Sequence, residues 1–419
     1  MSWRLLLLVS AVLPRAALAE PALKLSLEEA LARGWTANPS LEAARGNVDR
    51  AEALVVQSRA GWLPTLSVNG SFTQLDADRK VSDRVTTAAS TLNASLLLQV
   101  PLVNVARWQA TGQAKDAEKI AEVDLRALER AVASLVGRAW LQVRLAQRVV
   151  EVAERALATS SDELRLAEAR NAGGIGTKLD TTRSERERAD NESRLALSLA
   201  DLAVAQDALG ALVGEHAPVD AAGDPALPAI PEHPGLELRA DLQAAVARVE
   251  LAQRRVDESW NDYLPTLSAI LGPILQTPAY APTPELGFQL QILLSAPLYD
   301  GGARSGLSDE RLALLRQVRA DRDLLWLSAE AQLRSALTQL RQRQQATAAA
   351  RRSAQLAEEA FHLAEIAFSG GVSTNLELIE AQRAARDADT NAQVIANAAE
   401  IAHLDALVAM GILAPGGAR

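Results

Sequence analysis

Residues 38–66, NPSLEAARGNVDRAEALVVQSRAGWLPTL, lie without a gap over residues 239–267, RADLQAAVARVELAQRRVDESWNDYLPTL, and both stretches run into Leu-Pro-Thr-Leu-Ser. The 419-residue chain therefore reads as a duplicated unit, and a duplication has to be recognised before any single segment is interpreted. Further on, Gly174-Ile175-Gly176-Thr177 answers Gly371-Val372-Ser373-Thr374, each followed by a long polar helical tract. The copies meet in residues 215–235, which hold five prolines. Proline removes the backbone donor a helix needs, so this linker is expected to be extended. The expected organisation is a leader over 1–19, a first repeat over 20–214, the linker, a second repeat over 236–414 and a tail over 415–419.

Each copy has the same order of elements: a helix, two strands, a very long helix, a glycine-containing turn and a second long helix. Ser26-Leu27-Glu28-Glu29 has capping-box spacing and opens a short leading helix, followed by a helix from about Leu41 to Gly61. The long helices are expected over about Arg107–Ala169 and Ala303–Phe368, roughly 95–100 Å each at 1.5 Å per residue. Globular helices average about 10–14 residues, so helices of this length need neighbours along their whole course. Leu125, Leu128, Val132 and Leu135 supply a lateral stripe at three- and four-residue spacing. Aromatic residues are only 3% of the chain, which suits packing through small side chains. A pore-free coiled-coil scaffold or adhesin would account for these helices.

It would not account for the strands. Leu66, Val68, Gly70 and Phe72 alternate with Ser67, Asn69, Ser71 and Thr73; Leu92, Ala94, Leu96, Leu98 and Val100 alternate with Asn93, Ser95, Leu97 and Gln99. In the second copy, Leu286, Phe288, Leu290, Ile292 and Leu294 oppose Gly287, Gln289, Gln291, Leu293 and Ser295, while Leu267–Gln276 is interrupted by Gly272 and Pro273. Strands are thus expected over about 65–74, 90–100, 266–276 and 286–296, closed on their return by Pro101 and Pro297. Each is about as long as a tilted strand that crosses hydrocarbon. Trp62 and Tyr263 stand just before the Leu-Pro-Thr-Leu motifs, where interfacial aromatics belong. Four strands cannot close a barrel, and lipid leaves open edges unpaired, so copies must pool their strands. Two copies would enclose only side chains, whereas three would leave room for water. The alternation does not choose between three and four.

The remaining features mostly exclude. Arg4, the apolar run Leu5–Leu13 and Ala17-Leu18-Ala19 read as a cleaved secretory leader. The net charge is −9, and removing Arg4 and Arg15 takes it to about −11, which argues against nucleic acid as a partner. The absence of cysteine excludes disulfides, thiolate metal sites and a lipid-modified cysteine. After residue 19 no uninterrupted apolar run reaches the ~18 residues of a helical membrane span. His216, His233, His362 and His403 do not cluster, so no catalytic, metal or cofactor site is expected and the protein is not read as an enzyme.

Ser26-Leu27-Glu28-Glu29-Ala30, Asn38-Pro39, the doubled Leu-Pro-Thr-Leu, Pro297-Leu298-Tyr299-Asp300-Gly301-Gly302 and the paired glycine turns resemble the TolC-like outer-membrane efflux proteins. The resemblance covers essentially the whole chain after the leader. It implies a mainly α protein in a homotrimer, with a twelve-stranded transmembrane β-barrel continued by a periplasmic α-helical barrel. It also implies location in the outer membrane, in contact with its lipid, and passive export in series with a periplasmic adaptor and an inner-membrane transporter. Gly173, Gly174, Gly176, Thr177, Gly370, Gly371, Ser373 and Thr374 would form the periplasmic tip that meets the adaptor.

Glu377 and Glu380 match positions where the family places acidic rings at the pore constriction, and Asp180 matches a family aspartate. The spacing offers a second role, since Thr374 to Glu377 and Thr177 to Asp180 are also capping boxes. Phe368 stands where the best-known member has tyrosine, and Ser373 where it has arginine. A lock made from that hydroxyl and guanidinium cannot form here, leaving Lys178, Arg183 and Arg383 as available cations. Drug, metal and protein cargo remain equally open.

Overall fold

The computed structural model describes residues 22–81, 84–279 and 284–413. The expected leader and tail lie outside them, as do residues 82–83 and 280–283 between the strands. In chain order the elements are β1 (Leu23–Leu25), α1 (Leu27–Ala37), α2 (Pro39–Ala60), β2 (Thr65–Gln74), β3 (Arg79–Val81), β4 (Arg84–Thr87) and β5 (Ser90–Val103). Then come α3 (Val105–Ala172), α4 (Lys178–Leu212), β6 (Val219–Ala221), α5 (Ala240–Asp257), a 3₁₀ turn (Ser259–Tyr263), β7 (Thr266–Thr277), β8 (Leu286–Ser295), α6 (Ala303–Ser369) and α7 (Asn375–Met410). The 68 residues of α3 and the 67 of α6 are helix without a break.

The chain forms two compact units. One comprises Ser40–Glu129 and Gly235–Gln332, and it contains the sheet. Pro64 and Pro265 stop the preceding helical turns, and β2 and β7 start at the very next residues, Thr65 and Thr266. The strand order is β2-β5-β7-β8, antiparallel throughout. The register places Leu66 beside Leu98, Leu98 beside Leu271 and Leu271 beside Leu290, one apolar row across all four strands. Val68 with Leu96, Phe72 with Leu92 and Ala269 with Ile292 extend the same face. Among the described residues most of it is bare, Val68 being 78% exposed and Phe288 71%, while Ala269 is buried. Among the described residues, the outer edges of β2 and β8 have no strand beside them.

Two expectations about this sheet need correction. β5 does not stop at Pro101 but runs to Val103, with a register shift between Pro101 and Val103. Beyond Gln99 it is flanked by β7 alone, and proline's missing donor costs little where the ladder has one side. Nor do Gly272 and Pro273 break β7. Gly272 adopts φ 156°, and a Cβ there would lie 1.8 Å from the Leu96 carbonyl oxygen, so glycine is what lets β5 approach. Between β2 and β5 lies the small β3–β4 hairpin, too short to give a readable alternation.

The helices of this unit are held by small residues and ion pairs. Val123 packs with Ala240 and Ala244. One Arg248 nitrogen donates to both Asp124 oxygens at 2.6 Å, and Arg254 Nε meets Asp116 at 2.7 Å. The other unit comprises the residues up to Pro39, Arg130–Pro234 and those from Leu333 on. Trp140, Leu141, Leu209, Leu404 and Leu407 are fully buried in it, and Trp140 Nε1 donates to the Leu25 carbonyl at 2.9 Å. The proline linker is extended, and β6 within it pairs in parallel with β1. Asp220 is fixed by Gln147 at 2.6 Å and Gln206 at 2.9 Å.

By length and composition α4 is apolar enough to cross a membrane, which the search for uninterrupted runs missed because Asp201 and Asp207 divide its apolar half. Its polar half instead packs on protein, where Asn191 Nδ2 donates to the Ala156 carbonyl at 3.4 Å.

Gly272→Val should drive a branched side chain into the Leu96 carbonyl. The strain of about 1–3 kcal/mol falls on the one close β5–β7 approach, so the yield of assembled, heat-modifiable protein in outer-membrane fractions should drop severalfold. A yield equal to wild type would show that the sheet accommodates the side chain.

Candidate functional site at the helical tips

The two glycine turns are built alike. After α3, the Arg170 carbonyl accepts from Ile175 N at 3.0 Å and Gly176 N at 2.9 Å; after α6, the Ala367 carbonyl accepts from Val372 N at 2.9 Å and Ser373 N at 3.2 Å. Gly173 and Gly370 continue the helical bonding, to Ala169 and Ile366 at 3.0 Å each. Gly174 and Gly371 then reverse the chain at φ 75°, a conformation that disfavours any residue with a Cβ. The first turn is the tighter, since a Cβ on Gly176 would lie 2.8 Å from Asn171 N. Ser373 fills the matching place in the second.

Both following helices start with complete capping boxes. Thr177 Oγ1 accepts from Asp180 N at 3.1 Å, and Asp180 Oδ2 accepts from Thr177 N at 3.2 Å. Thr374 Oγ1 accepts from Glu377 N at 3.3 Å, and Glu377 Oε2 accepts from Thr374 N at 3.0 Å and Ser373 Oγ at 2.6 Å. The Ser373 hydroxyl first, then the Thr374 N–H, hold the Glu377 carboxyl below its ordinary value of 4.5. It is therefore ionised throughout the neutral range. The stabilisation from its cap is complete above about 4.5 and lost only as pH falls through the lowered value. Glu380 is exposed one turn further on.

Asp180 and the Glu377 cap are neighbours. Asn375 Nδ2 donates to the Asp180 carbonyl at 3.1 Å and to Ser184 Oγ at 3.3 Å. Four of the contacts that join the α3/α4 hairpin to α6/α7 bear on the tip, counting these two as one. Arg170 stacks its guanidinium 4.6 Å from the centre of the Phe368 ring and donates to the Phe368 carbonyl at 3.1 Å. The third contact is an ion pair in the interior: Glu187 is fully buried, Arg383 Nε donates to it at 2.7 Å and Arg386 NH1 reaches its other oxygen at 3.4 Å. Arg386 also donates to Asn191 Oδ1 at 2.7 Å, the fourth.

Arg383 is consequently not an available tip cation, because it is spent on Glu187. That glutamate gave no signal in the sequence: it sits among Arg186, Arg188 and Glu185 in a tract that reads as a solvated helical face. The aromatics before the strands lie in the sheet-bearing unit. Trp62 Nε1 donates to Thr111 Oγ1 at 3.3 Å, and Arg304 stacks 4.6 Å from the Tyr263 ring centre. Both rings are partly exposed, as are Trp108, Trp260 and Tyr299. No group of three or more His, Asp or Glu able to hold a metal occurs among the described residues.

A sheet with one mostly bare apolar face, continued into paired helical hairpins capped by acidic turns, defines a channel-forming outer-membrane protein. The outer membrane efflux protein family model matches residues 27–215 and 235–408, and the chain belongs to that family. The unmatched gap is the proline linker. The chain is 27% identical over 381 residues to the cobalt-zinc-cadmium resistance protein CzcC of Cupriavidus metallidurans, covering 87% of this chain and 84% of CzcC. It is 23% identical over 367 residues to the proteases secretion protein PrtF of Dickeya chrysanthemi, covering 82% and 79%. Among solved structures, the outer membrane protein VceC of Vibrio cholerae superposes with a TM-score of 0.77 at 20% identity, covering 92% and 96%. The protein is an outer-membrane channel of an efflux or secretion system, with its helices extending into the periplasm.

Glu187→Ala should leave Arg386, whose side chain is only 9% exposed, with the largely exposed Asp387 as its remaining carboxylate partner. Removing one member of a buried pair costs about 3–5 kcal/mol, so the melting temperature followed by circular dichroism should fall by several degrees. Adding Arg386→Met should restore part of the loss; an unchanged melting temperature would deny the pair a structural role.

Proposed function

We propose that three copies of this chain pool their sheets into a twelve-stranded barrel, the β8 edge of one pairing with the β2 edge of the next. The observation that carries this reading is the four-stranded sheet, which among the described residues has a mostly bare apolar face and two bare edges. In hydrocarbon each unpaired peptide group costs several kcal/mol, so closure between copies removes the largest penalty. Twelve strands leave a water-filled interior, whereas eight would be filled by side chains. The duplicated halves would then alternate around the barrel, which accounts for their matching strand and helix lengths. Trp62 and Tyr263 would mark the periplasmic interface of the bilayer.

The two glycine turns would form the periplasmic opening, and Gly173, Gly174, Gly176, Thr177, Gly370, Gly371, Ser373 and Thr374 the surface met by a periplasmic adaptor. Transport through this conduit is passive, with energy supplied by an inner-membrane transporter. Glu377 and Glu380, exposed at the start of α7, with Asp180 beside them, would give three copies a ring of carboxylates. Such a ring draws cations and repels anions. The acidic ring and the likeness to a cobalt-zinc-cadmium resistance protein together favour divalent metal cations as cargo; the likeness to a protease secretion protein makes protein export the alternative.

In planar bilayers the purified protein should form trimers with cation-selective conductance, and Glu377→Gln with Glu380→Gln should cut the cation preference severalfold without changing assembly. Monomers that stay soluble without detergent would end the channel proposal, while unaltered selectivity would remove only the acidic ring. Loss of the protein from its host should raise sensitivity to cobalt, zinc and cadmium. Unchanged metal tolerance with lost secretion of a protein would favour the alternative cargo.

A further inference from the structure

Ten residues before the first tip turn, about 15 Å along α3, Glu163 lies in the contact between the two hairpins. It is half-buried, and among the described residues no donor reaches its Oε1. With the Gln382 side-chain amide of α7 turned to satisfy both neighbours, its nitrogen donates to Glu163 Oε2 at 2.9 Å and its oxygen accepts from Ser160 N at 3.3 Å. The charged groups around it come from every neighbouring helix. α4 contributes the fully buried Glu187; α6 contributes Glu365, with His362 Nδ1 3.5 Å from it; α7 contributes Arg383 and Arg386. Both arginines are engaged by Glu187, and among the described residues no cation pairs with Glu163.

Asp190 and Asp387 also face these guanidiniums, so the contact is already rich in carboxylates and an ionised Glu163 adds one more. We propose that the proton on Glu163 controls how tightly the α3/α4 hairpin packs on α6/α7, so that losing it loosens the periplasmic tip and widens the channel. Burial, and then the charges of Glu187 and Glu365, push this carboxyl from 4.5 up to about 8. The folded chain therefore keeps a proton that the unfolded chain has lost. Its contribution to stability is complete below about 4.5 and drains away as pH rises to and through about 8. A cleft of about 280 Å³ lined by Thr159, Phe361, Gln382 and Arg386 opens beside Gln382, the residue whose amide holds the carboxyl. Because small ions pass freely between medium and periplasm through open outer-membrane pores, such a group would respond to the external pH.

The inference rests on the channel reading, and two readouts separate their failures. Single-channel conductance of wild type should rise severalfold between pH 7 and pH 9, whereas Glu163→Gln, which keeps the amide geometry of the neutral acid, should hold the low-pH value throughout. The chain has no native cysteine, so spin labels at Ile175→Cys and Val372→Cys can report the distance between the two turns in detergent. That distance should broaden and lengthen over the same pH interval in wild type alone. A pH response shared by Glu163→Gln, or none in wild type, overturns the switch. Absence of any conductance with a pH-dependent distance upholds the switch and discards the channel.

Discussion

Peptide groups must be hydrogen-bonded wherever water cannot reach them, and in this protein that requirement decides the most. The sheet of β2, β5, β7 and β8 satisfies its interior ladders within one chain but leaves two edges bare beside an apolar face. A soluble protein would cover such a face with helices. Here most of that face is bare among the described residues, and in the proposed barrel it is the side turned to lipid. The proposed closure by other copies answers the same requirement as the helix caps after the glycine turns, where Thr177 and Thr374 satisfy the first orphan donors of α4 and α7.

The long helices raise a related difficulty. A helix of nearly 70 residues gains little from a dispersed apolar stripe unless each turn has a partner. The sequence answers with alanine, which permits close approach, and with ion pairs that fix register. Arg248 on Asp124, Arg254 on Asp116 and Arg155 on Asp389 at 2.9 Å are partly exposed and contribute little individually. The Glu187 pair with Arg383 and Arg386 differs, because its carboxylate is out of water. A buried pair costs desolvation that its own attraction barely offsets, so its value lies in specifying one alignment of the two hairpins near the tip. Glu163 occupies the same contact without a cation, which makes that alignment sensitive to a single proton.

Much of this was legible in the sequence. Leu-Pro-Thr-Leu located the starts of β2 and β7 to the residue, since proline both ends a helix and tolerates the first position of a strand. Period-two alternation identified the strands, and the serine and threonine capping boxes marked α1, α4 and α7. Less legible were elements whose pattern is too short to repeat, such as β1, β6 and the β3–β4 hairpin. Pro101 looked like a strand end because sequence alone does not say that one side of β5 is free at that point. Gly272 looked like an interruption because the carbonyl that needs its missing Cβ belongs to Leu96, far away in the chain.

The sequence by itself determined the duplication, the element types, the strand faces and the glycine turns, because each follows from local sterics or from a period that a few residues establish. Only the tertiary structure decided that β5 joins β7, that Arg383 belongs to Glu187 and that Glu163 is left without a cation. Those outcomes depend on which side chains meet from helices and strands distant in the chain, and on how much water remains between them. Neither quantity is encoded in spacing along one helix, where a buried glutamate and a solvated one look the same.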